Sequence, residues 1–224
     1  MKPLSACSLY GIVDLGYIAP TEVQSVAAQM CAGGCDILQL RAKGRPEQEI
    51  EDLARELAPL CAAAGVPFLI NDHPELVPSV GASGAHVGQD DYPVSDARWR
   101  AGRALAGEVP PPIIGRSTHS LEQAERAAAD GADYIGFGPL FPTPTKAGRP
   151  AIGLGDIRRV HQRVGIPIFC IGGIKLENLD LVLAAGARRV VIVSGILQAP
   201  DIASYCHEVK ARLRDAMGDG GLKA

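Results

Sequence analysis

The stretch PIIGRSTHSLEQAERAAADGADYIGFG, residues 112–138, holds one complete unit of the pattern that decides the fold. An apolar run at 112–117 is typical of a strand, and the alanine-rich segment 119–130 is typical of a helix. Gly131 follows the helical segment, where a left-handed residue commonly ends a helix. A second apolar run occupies 133–138. The stretch therefore predicts a strand, a helix ended by glycine, and another strand.

The same unit recurs along the whole sequence. We predict strands at 8–13, 36–41, 67–71, 84–88, 112–117, 133–138, 167–173 and 189–194, and helices at 21–33, 46–64, 74–80, 94–105, 119–130, 154–163, 176–185 and 200–216. Continuously apolar strands that alternate with helices indicate an α/β protein with a parallel sheet. A closed (β/α)8 TIM barrel is the simplest arrangement of eight units. The alternative, an open doubly wound sheet, normally has a GxGxxG turn after its first strand, where this sequence reads VDLGY.

Length and composition indicate a single globular domain. The 224 residues suit one barrel, which we place at 1–216, with a disordered tail at 217–224. A net charge of -3 gives no basic surface for nucleic acid, so we expect no such partner. The N-terminus has no signal-like apolar segment and no apolar run is long enough for a membrane span, so we expect a cytoplasmic protein. Apolar outer helices allow a homo-oligomer but define no interface.

The six cysteines are interpreted as buried free thiols. Cys31 and Cys35 have no matching second pair at zinc-site spacing, so a zinc site is not expected.

Polar side chains fall where the predicted strands end, which is where active sites lie in a TIM barrel. Gln39, Arg41 and Lys43 follow each other at spacing two, so all three are expected to point into the barrel mouth. The other strand ends carry Asn71 and Asp72, then His86, Gln89, Asp90 and Asp91, then Ser117 and His119, and then Thr143, Thr145 and Lys146. The mouth is therefore predicted to be strongly polar.

Two sets of charges stand out among these residues. Asp72 and Asp91, on neighbouring strand ends, are hard oxygen ligands suited to Mg²⁺, which binds one or two carboxylates together with substrate phosphates. Arg41, Lys43 and Lys146 supply the positive charge that a diphosphate requires. Each residue alone is as readily a solvated loop charge, but together they predict a metal-diphosphate substrate.

A second anion site is predicted on the other side of the mouth. IGGI at 171–174 and VSGI at 193–196 place glycines where a ligand can approach the backbone, and a short helix is expected to begin near Ser194. Such a phosphate site is common to many unrelated barrels. A tight turn alone is the alternative reading of Gly172 and Gly173.

With these residues in place, the sequence resembles the thiamine-phosphate synthase family along almost its whole length. The matching stretches are QLRAKG (39–44), ND (71–72), GAHVGQDD (84–91), GRSTHS (115–120), GADYIGFGPLFPTPTK (131–146), IGGI (171–174) and VVIVSGI (190–196). The motif that follows the sixth strand is the most specific of them.

The resemblance implies a Mg²⁺-assisted transferase that joins 4-amino-5-hydroxymethyl-2-methylpyrimidine diphosphate to a thiazole phosphate through a pyrimidine cation. By motif position, the residues implied to hold the pyrimidine diphosphate are Gln39, Arg41, Lys43, Asn71 and Lys146. Asp72 and Asp91 would hold Mg²⁺, and Ser117 would lie beside the reacting pyrophosphate. The thiazole phosphate would contact Thr143, Thr145, Gly173, Val193 and Ser194. Lys146, Ser117 and Arg41 are the implied catalytic residues, and the proline-rich 138–150 loop would close over both substrates.

Some positions depart from the family pattern, and two other functions stay open. His73 stands where the family usually has arginine, Asp90 adds a carboxylate, and Arg116 replaces a small or apolar residue. We interpret His86 as structural and His119 as a helix-start residue. A thiazole tautomerase of the same fold needs neither diphosphate nor Mg²⁺, and a non-catalytic phosphate binder would have retained only the glycine-rich site.

Overall fold

Eight parallel strands close into a barrel in chain order, and the last strand pairs with the first. The computed structural model describes residues 2–102, 111–143 and 150–218. The strands are β1 (Leu9–Asp14), β2 (Ile37–Arg41), β3 (Phe68–Asn71), β4 (Gly84–Val87), β5 (Ile113–Thr118), β6 (Tyr134–Phe137), β7 (Ile168–Ile171) and β8 (Val190–Ile192). The predicted single-domain TIM barrel is confirmed, and the open doubly wound sheet is wrong because β8 closes on β1.

The described helices cover the outside of the barrel. They are α1 (Val23–Ala32), α2 (Glu47–Ala63), α3 (Val77–Val80), α4 (Val94–Gly102), α5 (Leu121–Ala129), α6 (Ile157–Arg163), α7 (Leu176–Ala184), α8 (Ser194–Leu197) and α9 (Ile202–Met217). Most begin one to three residues later than predicted, and for two of them the local reason is clear. Ser120 is the N-cap of α5, because its side chain accepts a hydrogen bond from the Gln123 amide. Pro74–Leu76 forms a 3-10 turn ahead of α3.

The core has two parts, one between strands and helices and a smaller one inside the barrel. Inside the barrel, the rings of Tyr10, Tyr134 and Phe169 meet edge to face with centroids 5.5–5.8 Å apart. Gly115 pairs with Tyr134, and a Cβ at Gly115 would lie 2.0 Å from the tyrosine Cζ. Glycine is required there because only a missing side chain leaves room for the ring.

The polar contacts at the N-terminal ends of the strands serve stability. Asp36, just before β2, accepts hydrogen bonds from the backbone amides of Ser8 at 2.7 Å and Leu9 at 2.9 Å. Lys210 of α9 reaches the same carboxylate at 2.6 Å, and Lys2 pairs with its other oxygen. These contacts tie the N-terminus and the last helix to the bottom of the barrel, which leaves the opposite face for chemistry.

All six cysteines are free, as predicted; five are buried and Cys31 is half-buried. Among the helices that the structure describes, none combines the length and the apolar character needed to cross a membrane. Of the predicted tail, residues 219–224 lie outside the described residues.

Candidate active site

A cavity of about 360 Å³ opens at the C-terminal ends of the strands. Besides Val193, its wall includes seven of the predicted site residues: Gln39, Arg41, Lys43, Asn71, Asp72, Asp91 and Ser117. They come from four neighbouring strand ends, β2 to β5, so the barrel gathers residues that are up to 78 positions apart in sequence (117 − 39). The expected common direction of Gln39, Arg41 and Lys43 agrees with this wall.

Arg41 is held by an aspartate that the sequence analysis did not predict as a site residue. Asp14, the last residue of β1, lies opposite Arg41 in the strand register and accepts a 2.8 Å bond from the guanidinium. Its other oxygen accepts a 2.9 Å bond from the Gly16 amide. Asp14 is almost fully buried, so its carboxylate fixes Arg41 from below. The sequence did contain a signal for Asp14, because this polar residue directly follows the first apolar run.

Asp72 and Asp91 form an interacting pair of carboxylates. Burial first, and then the hydrogen bond and charge of Asp91, raise the pKa of Asp72, while Lys43 at 3.7 Å opposes the rise. Asp72 has a φ of 63°, a left-handed conformation that is uncommon outside glycine and often marks a functional site. Asp91 accepts a 2.6 Å bond from the Gly88 amide. Two adjacent carboxylates with a neighbouring cation suit a hard divalent metal bound with an anionic substrate.

A largely buried series of hydrogen bonds crosses the floor of the cavity, and we call it the Gln39–Ser117 series. Gln39 Nε2 donates to the Tyr10 hydroxyl at 2.6 Å, and that hydroxyl contacts the Tyr134 hydroxyl at 3.0 Å. Tyr134 contacts His86 Nδ1 at 2.9 Å, and His86 Nε2 contacts Ser117 Oγ at 2.9 Å. The interpretation of His86 as a purely structural residue is therefore incomplete, because His86 also lines the cavity.

A second, smaller cavity of about 40 Å³ adjoins the first. Its lining includes four predicted residues: Thr143, Gly173, Val193 and Ser194. Ile171 and Val193 line both cavities, so the two share a wall. The predicted short helix exists as α8, which begins at Ser194. Gly173 has a φ of 67°, and a Cβ there would lie 2.7 Å from the Phe141 side chain, so glycine lets the following loop pack closely.

The sequence model of a family described as thiamine monophosphate synthase matches residues 9–196. The chain belongs to this family. The match spans the barrel and both cavities, from β1 to α8. The family predicted by resemblance is therefore confirmed.

Individual relatives support the same assignment. The chain is 45% identical over 183 residues to a thiamine-phosphate synthase of Thermus thermophilus, covering 81% of this chain and 84% of the relative. It is 39% identical to a thiamine-phosphate synthase of Shouchella clausii, covering 96% and 99%. The solved structure of a thiamine phosphate pyrophosphorylase from Pyrococcus furiosus matches with a TM-score of 0.83 at 29% identity, covering 96% and 99%. The predicted transferase of the thiamine-phosphate synthase type is thus confirmed, and the tautomerase alternative is not favoured.

His73, which departs from the family pattern, is paired with a neighbouring carboxylate. Its Nδ1 lies 3.0 Å from the Glu75 carboxylate, and this hydrogen bond raises the pKa of His73. His73 is not part of either cavity wall. Arg116 also points elsewhere, toward the backbone oxygens of Tyr92 and Gln89. Neither residue is thus placed where it would alter the cavity directly.

Two residues of the predicted site, Thr145 and Lys146, lie outside the described residues. The described part of the loop runs alongside β7, with the Leu140 amide bonded to the Ile171 oxygen at 2.9 Å and the Phe141 amide bonded to the Gly172 oxygen at 3.0 Å. This course brings Thr143 to the second cavity. That the 138–150 loop closes over both substrates stays a prediction.

Proposed function

We propose that the protein joins 4-amino-5-hydroxymethyl-2-methylpyrimidine diphosphate to thiazole phosphate and releases pyrophosphate and thiamine phosphate. One observation carries the proposal: the carboxylate pair Asp72 and Asp91 meets the cations Arg41 and Lys43 on one cavity wall, and a glycine-rich cavity adjoins it. A carboxylate pair beside cations suits a metal-bound diphosphate, and the glycine-rich cavity suits a separate phosphate.

In this proposal the diphosphate lies between Arg41, Lys43 and Asn71, all on the wall of the larger cavity. Arg41 offers a guanidinium that Asp14 already orients, so little side-chain entropy is lost on binding. Asp72 and Asp91 would hold Mg²⁺, which when bound neutralises charge on the leaving diphosphate. The raised pKa of Asp72 fits this donor set, because a carboxylate beside another is stabilised by a cation. Lys146 is predicted to add a further positive charge beside the diphosphate.

The thiazole phosphate is assigned to the smaller cavity. Thr143 and Ser194 supply hydroxyls there, and Gly173 and Val193 allow a phosphate to approach the backbone. Thr145 is the remaining residue predicted to contact the thiazole phosphate. Because Val193 and Ile171 line both cavities, the two substrates would meet across these apolar side chains.

The chemistry requires charge stabilisation and positioning more than proton transfer. The carbon-oxygen bond to the diphosphate breaks and its electron pair leaves with pyrophosphate. The thiazole nitrogen then donates its lone pair to the pyrimidine methylene carbon and forms the new carbon-nitrogen bond. Arg41, Lys43, Lys146 and Ser117 would stabilise the leaving group, and the 138–150 loop would exclude water from the cation.

The direct test supplies both substrates and Mg²⁺ to the purified protein and measures pyrophosphate and thiamine phosphate. Both products are expected in equal amounts. Thiazole isomerisation without pyrophosphate would identify the tautomerase, and binding of both phosphates without turnover would identify a non-catalytic binder.

Two variants test whether the activity depends on the proposed site. Asp72→Ala and Lys146→Ala are expected to abolish rescue of a thiamine-requiring strain while the folded protein remains. Asp180→Asn is the matched control, since this carboxylate is exposed on α7. Normal rescue by both site variants would contradict the assignment. A cytoplasmic location and a homo-oligomer stay predictions.

A further inference from the structure

The Gln39–Ser117 series has a direction, because each hydroxyl in it carries a single proton. Tyr10 and Tyr134 lie in the barrel interior, and burial raises the pKa of both phenols well above their ordinary values. Both are therefore neutral, and each donates one hydrogen bond while accepting others. The Gln39 amide nitrogen is the only member that must donate.

The direction follows step by step from Gln39. Tyr10 accepts the Gln39 proton, so its own proton goes to the Tyr134 oxygen 3.0 Å away. Tyr134 accepts from Tyr10 and therefore donates to His86 Nδ1, 2.9 Å away. A neutral imidazole that accepts at Nδ1 carries its proton on Nε2. His86 Nε2 then donates to Ser117 Oγ at 2.9 Å.

We propose that His86 is a positioning residue, fixed as the Nε2-H tautomer by Gln39, Tyr10 and Tyr134, and that it thereby makes Ser117 a hydrogen-bond donor toward an anionic substrate oxygen. Because Ser117 accepts from His86, its own proton goes to an acceptor other than His86. Ser117 and His86 both lie on the wall of the larger cavity, among the groups assigned to the diphosphate. The identity of that oxygen as a diphosphate oxygen rests on the proposed function, whereas the tautomer does not.

The opposite direction would have the opposite chemical result. If His86 carried its proton on Nδ1, Tyr134 and Tyr10 would each donate toward Gln39, whose nitrogen cannot accept. Nε2 would then accept the Ser117 proton and withdraw it from the substrate. The amide of one buried glutamine therefore decides the role of a serine on the far side of the barrel.

Packing keeps the members of the series in place. Gly115 leaves room for the Tyr134 ring, and a Cβ on Gly136 would lie 3.4 Å from His86 Cε1. The His86 ring lies over Tyr134 at a centroid distance of 5.5 Å and a tilt of 30°. Tyr10, Tyr134 and Gln39 are almost fully buried, so water does not compete for their hydrogen bonds.

The test reads the tautomer directly and needs no substrate. Long-range ¹H–¹⁵N NMR spectra of the ¹⁵N-histidine protein distinguish the tautomers, and the signals of His86 among the five histidines are identified by their loss in His86→Gln. At alkaline pH we expect a pyridine-like Nδ1 and a protonated Nε2. A protonated Nδ1 in the unmodified protein overturns the proposal.

Two variants of the series sharpen the test. Gln39→Glu replaces the obligatory donor with an acceptor, so the direction reverses and His86 is expected to become the Nδ1-H tautomer. Tyr10→Phe is the matched control, because it separates residue 39 from Tyr134, so adding Gln39→Glu to Tyr10→Phe should not change the His86 tautomer further. An unchanged tautomer in a folded Gln39→Glu protein overturns the proposal. If Gln39→Glu does not fold, the spectrum of the unmodified protein still decides.

A kinetic cycle tests whether His86 acts through Ser117. His86→Leu is expected to lower kcat roughly 10-fold or more, which is less than the loss of about 10²-fold or more seen when an oxyanion donor is itself removed, with the KM for thiazole phosphate unchanged. His86→Gln, which keeps an N-H donor, should recover part of the loss. In a Ser117→Ala background the two His86 variants should be equal, because the acceptor is gone. Equal losses from His86→Leu with and without Ser117 overturn the role, and a correct tautomer in a protein without transferase activity would contradict only the proposed function.

Discussion

Asp14 and Arg41 face each other across the β1–β2 pair and are joined by a 2.8 Å ion pair in which the aspartate side chain is only 1% exposed. One side of the Arg41 guanidinium is thus bound by Asp14, and its other side faces the cavity. In the proposed function, this single buried carboxylate at the end of β1 would connect the stability of the barrel to the binding of an anionic substrate.

Removal of this carboxylate should therefore affect both properties. Asp14→Ala leaves the Arg41 charge without its partner, and we expect a loss of roughly 3–5 kcal/mol in the free energy of unfolding, the usual result of breaking a buried pair. Denaturant unfolding measures this loss. Asp14→Asn keeps an acceptor for Arg41 and should lose less, with a raised KM for the pyrimidine diphosphate. Equal stability of Asp14→Ala and the parent protein would contradict this account of Arg41.

The Asp72 and Asp91 pair should show the opposite relation between stability and activity. Asp72→Asn removes a partly buried like charge, since burial and Asp91 raise the pKa of Asp72. The unfolding temperature without Mg²⁺ should therefore stay equal or rise, while transferase activity falls by about 10²-fold or more. Scanning calorimetry and product assays, with Asp180→Asn as control, measure the two effects. A large loss of stability would mean that the pair is structural.

The close approach of Tyr134 to Gly115 predicts an intolerant position inside the barrel. Gly115→Ala places a methyl group in the space of the tyrosine ring, and overpacking of this kind costs typically about 1–3 kcal/mol or more. Gly165→Ala is the matched control, because no atom lies within 4 Å of a Cβ built there. Its unfolding free energy should change by about 0.5 kcal/mol or less. The comparison fails if both variants unfold at the same denaturant concentration.

The Asp36 cluster predicts part of the acid sensitivity of the fold. Burial raises the pKa of Asp36, but the Leu9 amide, Lys2, Lys210 and the Ser8 amide together lower it below its ordinary value. The folded protein therefore binds this proton less readily than the unfolded chain, and the stabilisation is present above the unfolded pKa and lost as pH falls through the folded one. Asp36→Asn should be less stable at neutral pH and show a flatter decline in acid. A parallel decline would exclude Asp36 as a cause.

His161 predicts a pH dependence at milder acidity. Burial first, and then the charges of Arg188 and Arg189, lower the pKa of His161 from 6.5 to about 4. Between these values the unfolded chain takes up the proton and the folded protein does not, so stability should rise with pH across this window. His161→Gln should flatten this part of the profile. Denaturant midpoints at closely spaced pH values provide the measurement.

The repeating units, the mouth and its charges were predictable from sequence because they depend on local patterns. Apolar runs and helical segments recur eight times, glycines separate most helices from the next strand, and polar residues such as Asp72 and Ser117 lie at strand ends. Strand parity then predicts that Gln39, Arg41 and Lys43 share a side. The closing pair of β8 with β1 needed only the count of units and the rule that such sheets form barrels.

The inner contacts could not be predicted, because they depend on strand register around a closed barrel. Asp14 contacts Arg41 because the register of β1 and β2 places these two residues side by side, and no local sequence pattern predicts that register. Tyr10 and Tyr134 are 124 residues apart, yet their hydroxyls meet inside the barrel because the strands turn them to a common centre. The sequence by itself determined which polar residues lie at the strand ends around the mouth. Only the tertiary structure decided how Gln39, His86 and Ser117 are connected beneath it, since a hydrogen bond requires positions correct to a fraction of an ångström.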